Sequence, residues 1–276
     1  MPAARLGPPE LSGPTRGPTL DAMTPDTAAA DAVSRAHRRV HRLFRLMLRI
    51  DVEQLNTPTL EPTIHACNHR SLADVLLASS TFHIWGRPIR PLVAASYFDR
   101  PGIGRLLREM RSIPVSGTET IDLAREALES GWSIAIMPEG RVVPREEWAE
   151  TGVGRAHPGI GRLALDTGLP VVVSGASGTE QFWPPGRMLP RLTPWKRFPV
   201  ALRSEHLGPL TGHRARDVTD LVMAAMVRCV ENAEAVTGIP RPTQRTLQWP
   251  PCPWSSTRMR SWGWSWSRWS PRTRSP

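Results

Sequence analysis

The chain has 276 residues and a formal net charge of +10, most of which lies at one end. The segment from Pro240 to Pro276 has seven arginines and no Asp or Glu, so it contributes +7. A nucleic-acid-binding protein is expected to carry its basic excess on the folded domain, so no specific nucleic acid is expected as a partner.

Three scattered cysteines do not suit a disulfide framework or a zinc site, and no metal is expected. No apolar run approaches the roughly 20 residues that cross a bilayer, and the N-terminus lacks the order of a secretory signal. We therefore expect a protein that is soluble or lies on a membrane.

Both ends are expected to lie outside the folded domain. Residues 1–30 contain six prolines and almost no large apolar side chain, so burial cannot offset chain entropy and disorder is predicted. Residues 239–276 form a low-complexity tail rich in Pro, Trp and Arg. Such a tail suits a membrane interface, single-stranded nucleic acid, or no role at all, and we favour the last interpretation.

The first predicted element is an amphipathic helix over residues 31–50. Apolar residues recur at helical spacing from Val33 to Ile50, and six arginines fill much of the rest. One interpretation is a helix packed on the domain with a solvated arginine face. The other is a membrane-surface helix, which the arginine density favours because anionic headgroups attract such a face.

After Pro62 the chain alternates short apolar strands with helices. Strands are predicted at residues 63–67, 91–95, 112–115, 132–137 and 170–174, and helices at 71–80, 103–110, 118–130 and 158–167. An edge strand at 200–204 and a helix at 217–236 complete the pattern. Apolar, unalternating strands separated by helices predict an α/β fold, a mostly parallel central sheet flanked by helices. A single domain is expected over residues 31–238, with its site in the loops at the strand ends.

The residues that suggest chemistry begin directly after the first of these strands, between Asn68 and Asp74. Ser71 is predicted to cap a helix, with Asp74 at the third helical position, where the helix dipole favours its charge. His69 then lies outside the helix and can fold back on Asp74. A carboxylate bonded to one ring nitrogen would leave the other to take a proton from a hydroxyl. The alternative is a capping acid beside an ordinary loop histidine.

A second motif, Glu139-Gly140-Arg141, follows the predicted strand at 132–137. Gly140 allows a sharp turn and a close approach to a ligand. Glu-Gly is also a common turn, so the weight of the motif comes from its place at another strand end. Cys67 lies two residues before His69, but a buried strand cysteine is a better explanation for it than a nucleophile.

In this order the motifs resemble the glycerolipid acyltransferase family, typified by 1-acylglycerol-3-phosphate acyltransferases, over about residues 63–185. The first family block is matched by Asn68, His69, Ser71 and Asp74, and the third by residues 138–140. The second block is similar to residues 95–101, Gly104 and residues 112–115, and the fourth to residues 168–172. Residues 178–185 are also similar to bacterial members.

The resemblance implies transfer of a fatty acyl group from acyl-CoA or acyl carrier protein to the hydroxyl of a lysophospholipid, such as 1-acylglycerol-3-phosphate, in phosphatidic acid synthesis. His69 would be the base and Asp74 its partner. The residues expected to bind substrate are Asn68, Ser71, Glu139, Gly140 and Arg141. No bound cofactor and no acyl-enzyme are implied, because the thioester arrives activated. The expected location is peripheral, on the cytoplasmic face of the plasma membrane.

Two departures from the family pattern concern the acceptor phosphate. Ser116-Gly117 stand where the second block usually has an arginine, and Arg141 comes one place early in the third. Bidentate phosphate recognition depends on the placement of the guanidinium group. Arg100 or Arg111 could substitute. An acceptor lipid without a phosphomonoester is therefore an alternative, as is a catalytically silent lipid- or nucleic-acid-binding relative.

Overall fold

The computed structural model describes residues 25–55, 62–117, 119–187, 189–193 and 196–243. The disorder predicted for residues 1–24 and the interpretations of the tail beyond residue 243 lie outside these described residues. Among the described helices, none combines the length and the apolar character that crossing a bilayer requires.

The first helix, α1 (Thr27–Phe44), differs from its prediction at both ends. Asp26 caps it by accepting a hydrogen bond from the Ala28 N–H (3.1 Å), so residues 27–30 are helical rather than disordered. Residues 48–50, predicted as its last turn, belong instead to strand β1 (Leu48–Val52). Their partner strand lies 150 residues further along the chain, and local periodicity does not reveal such a partner.

The apolar face of α1 packs on the domain. Its buried residues include Val33, Ala36, Val40 and Phe44, while the arginines of the opposite face are exposed. The apolar stripe of α1 is therefore covered by protein, and contact of its exposed arginine face with a membrane surface stays a prediction.

Within the described part of the chain, seven strands form one sheet in the order β1-β7-β6-β2-β5-β3-β4. After β1 they are β2 (Ile64–Cys67), β3 (Ile89–Ala94), β4 (Ile113–Val115), β5 (Ser133–Ile136), β6 (Pro170–Ser177) and β7 (Phe198–Pro209). All neighbours are parallel except β6 and β7, which are antiparallel. The predicted edge strand at 200–204 is wrong in its position, since β7 lies between β1 and β6. The predicted class, an α/β fold with a mostly parallel sheet, is confirmed.

Helices cover both faces of the sheet. After α1 they are α2 (Asp74–Ile84), α3 (Ile103–Glu109), α4 (Glu119–Glu129), α5 (Arg145–Trp148), α6 (Gly159–Thr167), α7 (Thr179–Phe182) and α8 (Ala215–Thr237). One apolar cluster joins α4, α6 and α8 to the central strands, and another joins α1, α2 and α7 to β1, β6 and β7. The packing is close: a Cβ on Gly175 of β6 would lie 2.1 Å from the Val230 nitrogen of α8. The single-turn helices α5 and α7 were not predicted, because one turn is too short to show a period.

Candidate active site

The two predicted motifs leave the sheet side by side. In the parallel pair of β2 and β5, Ala66 lies opposite Ile136, so the loops that follow begin at the same edge. The Val143 N–H donates to the His69 carbonyl (2.7 Å) and joins the two loops directly. The structure therefore brings the loop that carries His69 and the loop that carries Glu139 together.

His69 and Asp74 form the predicted pair. The His69 Nδ1 and Asp74 Oδ2 atoms lie 3.1 Å apart. The same carboxylate oxygen accepts from the Ser71 N–H (2.7 Å), while the Ser71 hydroxyl accepts from the Ala73 N–H (3.0 Å). This is the reciprocal capping pattern expected, although the α-helix begins at Asp74 rather than Ser71. The Asp74 side chain is fully buried and that of His69 is 13 % exposed, so water and substrate can reach only the imidazole.

Thr179 holds the other oxygen of Asp74, a contact that the sequence did not reveal. Its hydroxyl donates to Asp74 Oδ1 (2.5 Å). Thr179 follows β6, which is the second neighbour of β2 in the sheet. The sequence does place Thr179 after a predicted strand. It does not show that this strand lies next to β2, and that order is needed to bring Thr179 to Asp74. With three donors on its two oxygens, the Asp74 carboxylate is fixed in orientation.

Glu139 lies buried beside this pair, at 2 % exposure. Its Oε1 accepts from the Gly154 N–H (3.3 Å), and its Oε2 has no hydrogen-bond partner among the described residues. Burial raises the pKa of Glu139 to about 7, against the opposing influence of the Gly154 amide and His69. The carboxyl group can therefore be protonated or ionised near neutral pH.

Gly140 turns the chain as predicted, with a φ of +69°. A Cβ there would be strained, and it would also lie 3.2 Å from Cδ2 of the His157 ring. His157 is an exposed histidine beside this turn that the sequence did not single out. The backbone N–H of His157 donates to the Pro138 carbonyl (2.9 Å), which closes the loop.

Asn68 and Ser71, predicted as substrate contacts, are instead fully buried in contacts within the protein. The Asn68 carboxamide accepts from the Ala176 N–H (2.7 Å) and donates to the Ala176 carbonyl (3.1 Å) of β6. The Ser71 hydroxyl donates to the Trp183 carbonyl (2.7 Å). These side chains hold the His69 loop in place, and the substrate contact predicted for them stays a prediction.

Arg141, also predicted to bind substrate, is 52 % exposed and forms an ion pair with Glu147 (2.5 Å). Arg100 and Arg111, considered as substitutes for the missing phosphate ligand, lie over the rings of Tyr97 and Trp132. No described contact joins any of the three arginines to His69 or Glu139.

Arg70 is a buried cation behind the site that the sequence did not reveal. It is 2 % exposed, and its guanidinium group donates to the Gly152 carbonyl (2.9 Å) and to the Glu234 carboxylate (2.7 Å). It also lies 4.1 Å from the centre of the Trp148 ring. The His69 loop is thereby joined to the segment after α5 and to the end of α8. An arginine between two motif residues gives no sequence signal of burial, since this residue type is usually exposed.

An apolar cavity lies beneath the two motifs, between α2 and the sheet. Its lining includes Cys67 and Met137, where β2 and β5 end, and Val75, Ala78 and Phe82 of α2. Desolvation and the negative charges of Asp74 and Glu139 raise the pKa of the Cys67 thiol well above its usual range. Cys67 therefore stays protonated, as expected for a strand cysteine.

The comparisons with known proteins agree with this geometry. Residues 49–175, which include His69, Asp74 and Glu139, match the family model described as Acyltransferase. The matched segment, which holds both motifs, is similar to acyltransferases. The fold of the chain is similar to the crystal structure of the 1-acyl-sn-glycerophosphate (LPA) acyltransferase PlsC from Thermotoga maritima. The TM-score is 0.59 and the identity 22 %, over 75 % of this chain and 80 % of that one. No curated protein matches the chain in sequence.

Proposed function

We propose that the protein transfers a fatty acyl group from the thioester of acyl-CoA or acyl carrier protein to the hydroxyl of a lysophospholipid. 1-Acylglycerol-3-phosphate is the expected acceptor. The observation that carries the proposal is the 3.1 Å contact of His69 Nδ1 with the buried Asp74. It fixes the tautomer that leaves Nε2 to accept a proton.

The reaction needs one proton relay and no covalent intermediate on the enzyme. The acceptor oxygen attacks the thioester carbonyl as His69 Nε2 takes the hydroxyl proton, and the imidazolium is stabilised by Asp74. The C–S bond then breaks, and the departing thiolate takes the proton from His69 to become a thiol. A protonated Cys67 favours this direct transfer over an acyl-enzyme.

A second candidate acceptor is a lipid hydroxyl without a phosphomonoester. Two observations favour it: Arg141 is already paired with Glu147, and Glu139 can carry a negative charge near neutral pH. A dianionic headgroup would be repelled by an ionised Glu139, whereas a neutral acceptor would not.

The test is acyl transfer by the purified full chain, with acyl-CoA or acyl carrier protein as donor and a panel of acceptors. His69→Ala should lower kcat by about 10²- to 10⁴-fold, while His213→Ala, at an exposed loop histidine, should match the wild type. Retained activity in His69→Ala would reject the assigned base. A preference for lysophosphatidic acid over monoacylglycerol would support the first acceptor, and the reverse preference would support the second.

We also propose that the protein works as a peripheral protein on the cytoplasmic face of the plasma membrane, because a lysophospholipid acceptor resides in a bilayer. Fractionation of cells that express the full chain tests this location. Recovery in the soluble fraction alone, at low salt, would count against it.

A further inference from the structure

Four leucines are unusually exposed for large apolar side chains, and they occur in two segments. Leu43, in the last turn of α1, and Leu46, just after that helix, are 57 % and 65 % exposed. Leu189 and Leu192, between α7 and β7, are each 67 % exposed. Exposed basic residues flank both pairs. We call this surface the leucine–arginine rim; it consists of the four leucines with Arg42, Arg45, Arg49, Arg187, Arg191, Lys196 and Arg197.

The two segments meet although about 140 residues separate them in the chain. The ring of Phe182 lies 5.8 Å from that of Phe44 and 5.7 Å from that of Phe198. The Phe198 N–H donates to the Met47 carbonyl (3.0 Å), and the Arg191 N–H donates to the Phe182 carbonyl (2.8 Å). Leu43 and Leu46 flank Phe44, and Leu189 and Leu192 flank the Arg191 anchor. The two segments that carry the leucines are therefore anchored side by side.

The charge of the rim has one sign. The sequence contains no acidic residue from Ala32 to Ile50 or from Gln181 to Ser204. None of the ion pairs formed by the described residues involves a basic side chain of the rim. Leucines surrounded by seven cations are what an anionic lipid surface binds, because acyl chains cover the leucines while headgroups meet the cations.

The rim adjoins the candidate active site. The Ser71 hydroxyl, in the His69 loop, donates to the Trp183 carbonyl (2.7 Å), and the Trp183 indole N–H donates to the carbonyl of Arg187 in the rim (3.0 Å). Ala73 and Leu77 at the start of α2 belong to the same apolar cluster as Phe44 and Phe182. Whatever binds the rim is therefore coupled through short contacts to the loop that carries His69.

We propose that the leucine–arginine rim docks the protein on an anionic bilayer, with the leucines inserted among the acyl chains. This proposal rests on the proposed function, because docking would hold the His69 loop against the surface in which the acceptor lipid resides. The inserted side chains are those of the four leucines, and the covered stripe of α1 takes no part.

The experiment measures sedimentation of the full chain with vesicles of phosphatidylcholine, with or without phosphatidylglycerol. Leu43→Ser/Leu46→Ser and Leu189→Ser/Leu192→Ser should each weaken binding to the anionic vesicles by about tenfold or more. Arg187→Gln/Arg191→Gln should weaken it by a similar factor and reduce its dependence on salt. The matched controls are Leu123→Ser/Leu221→Ser and Arg105→Gln/Arg162→Gln, exposed pairs outside the rim, and these should stay within twofold of the wild type.

Several outcomes would overturn the proposal: no binding of the wild type to anionic vesicles, equal binding to neutral ones, or equal losses in the controls. A wild type that self-associates and becomes monomeric in the leucine variants would show that the rim joins two copies of the chain instead. Loss of binding to acyl carrier protein, with vesicle binding unchanged, would assign the rim to that acidic partner.

Transfer to a short-chain lysophospholipid in free solution separates this proposal from the proposed function. The rim variants should keep that activity and lose transfer to vesicle-borne acceptor. Rim-dependent docking by a protein without transfer activity would reject the proposed function and leave the docking surface standing.

Discussion

Replacing Asp74 by Asn is the sharpest perturbation of the candidate active site, because it keeps the shape of the side chain and removes its charge. In the proposed reaction His69 becomes an imidazolium as it takes the acceptor proton. The Asp74 oxygen, 3.1 Å from Nδ1, then faces a full positive charge. The carboxamide of Asn can still accept a hydrogen bond but offers that charge no ionic partner.

The magnitude of the effect follows from this distance and from burial. For unit charges 3.1 Å apart, an effective dielectric constant of about 20 gives an attraction of about 5 kcal/mol. Hydrogen bonds to charged groups, measured by mutation, contribute about 1.5–3 kcal/mol, which is a lower bound here. Since about 1.4 kcal/mol corresponds to a tenfold change in rate, kcat should fall by about 10- to 10⁴-fold. KM should change little, because the fully buried Asp74 does not contact substrate.

The assay is steady-state transfer at saturating donor and acceptor, with thermal unfolding measured in parallel. Asp166→Asn is the matched control, since this exposed residue pairs only with Arg162 one helical turn away (3.5 Å); it should leave kcat unchanged. A folded Asp74→Asn variant with kcat within threefold of the wild type would refute the assignment of Asp74 as the partner of His69.

Two further predictions concern buried titratable groups and are measured by urea unfolding. Folded Glu139 has a pKa of about 7 against an ordinary value of 4.5, so its stabilising effect is complete below pH 4.5 and is lost as the pH rises through 7. From pH 5 to pH 8 the free energy of unfolding of the wild type should therefore fall by about 2 kcal/mol more than that of Glu139→Gln. If the two free energies change with pH in parallel, the assigned burial of Glu139 is contradicted. His65 behaves oppositely: burial lowers its pKa from 6.5 to about 3, so its stabilising effect is present above pH 6.5 and is lost as the pH falls toward 3. His65→Phe keeps an aromatic ring beside Phe82 and Trp85. The free energy of unfolding of this variant, relative to that of the wild type, should be about 3 kcal/mol higher at pH 4 than at pH 7. If the variant and the wild type unfold at the same acid pH, the folded protein admits water to the ring.

The parts of the site that the sequence predicted are those that depend on neighbouring residues. Ser71 and Asp74 are three positions apart, so capping chemistry alone predicted that the chain turns and that His69 can reach the carboxylate. Gly140 follows the same logic, since its positive φ is a local requirement. Thr179 is different, because it reaches Asp74 across 105 positions through the pairing of β2 with β6. A single sequence carries no record of that pairing.

The end of α1 was mispredicted for a related physical reason. Met47 and Ile50 continue the helical spacing of the apolar residues, but Ile50 lies in a strand that pairs with β7, where it faces Val200. Hydrophobic spacing reports which side chains are buried and leaves open which element buries them. The exposed face of α1 has the same limit, because a face dense in arginines is equally compatible with solvent and with a lipid surface.

Asn68 and Ser71 show why a motif match does not by itself assign a role. Both belong to the first family block, but their polar atoms are used to bind the β6 backbone and the Trp183 carbonyl. A buried polar group that lost such a partner would cost about 1–3 kcal/mol, so these residues are expected to tolerate little change even if they never meet substrate. His69 is the member of the block that remains partly exposed beside Asp74. In the proposed reaction the reacting atoms meet the protein at His69, and the rest of the block acts through the position that it gives to this imidazole.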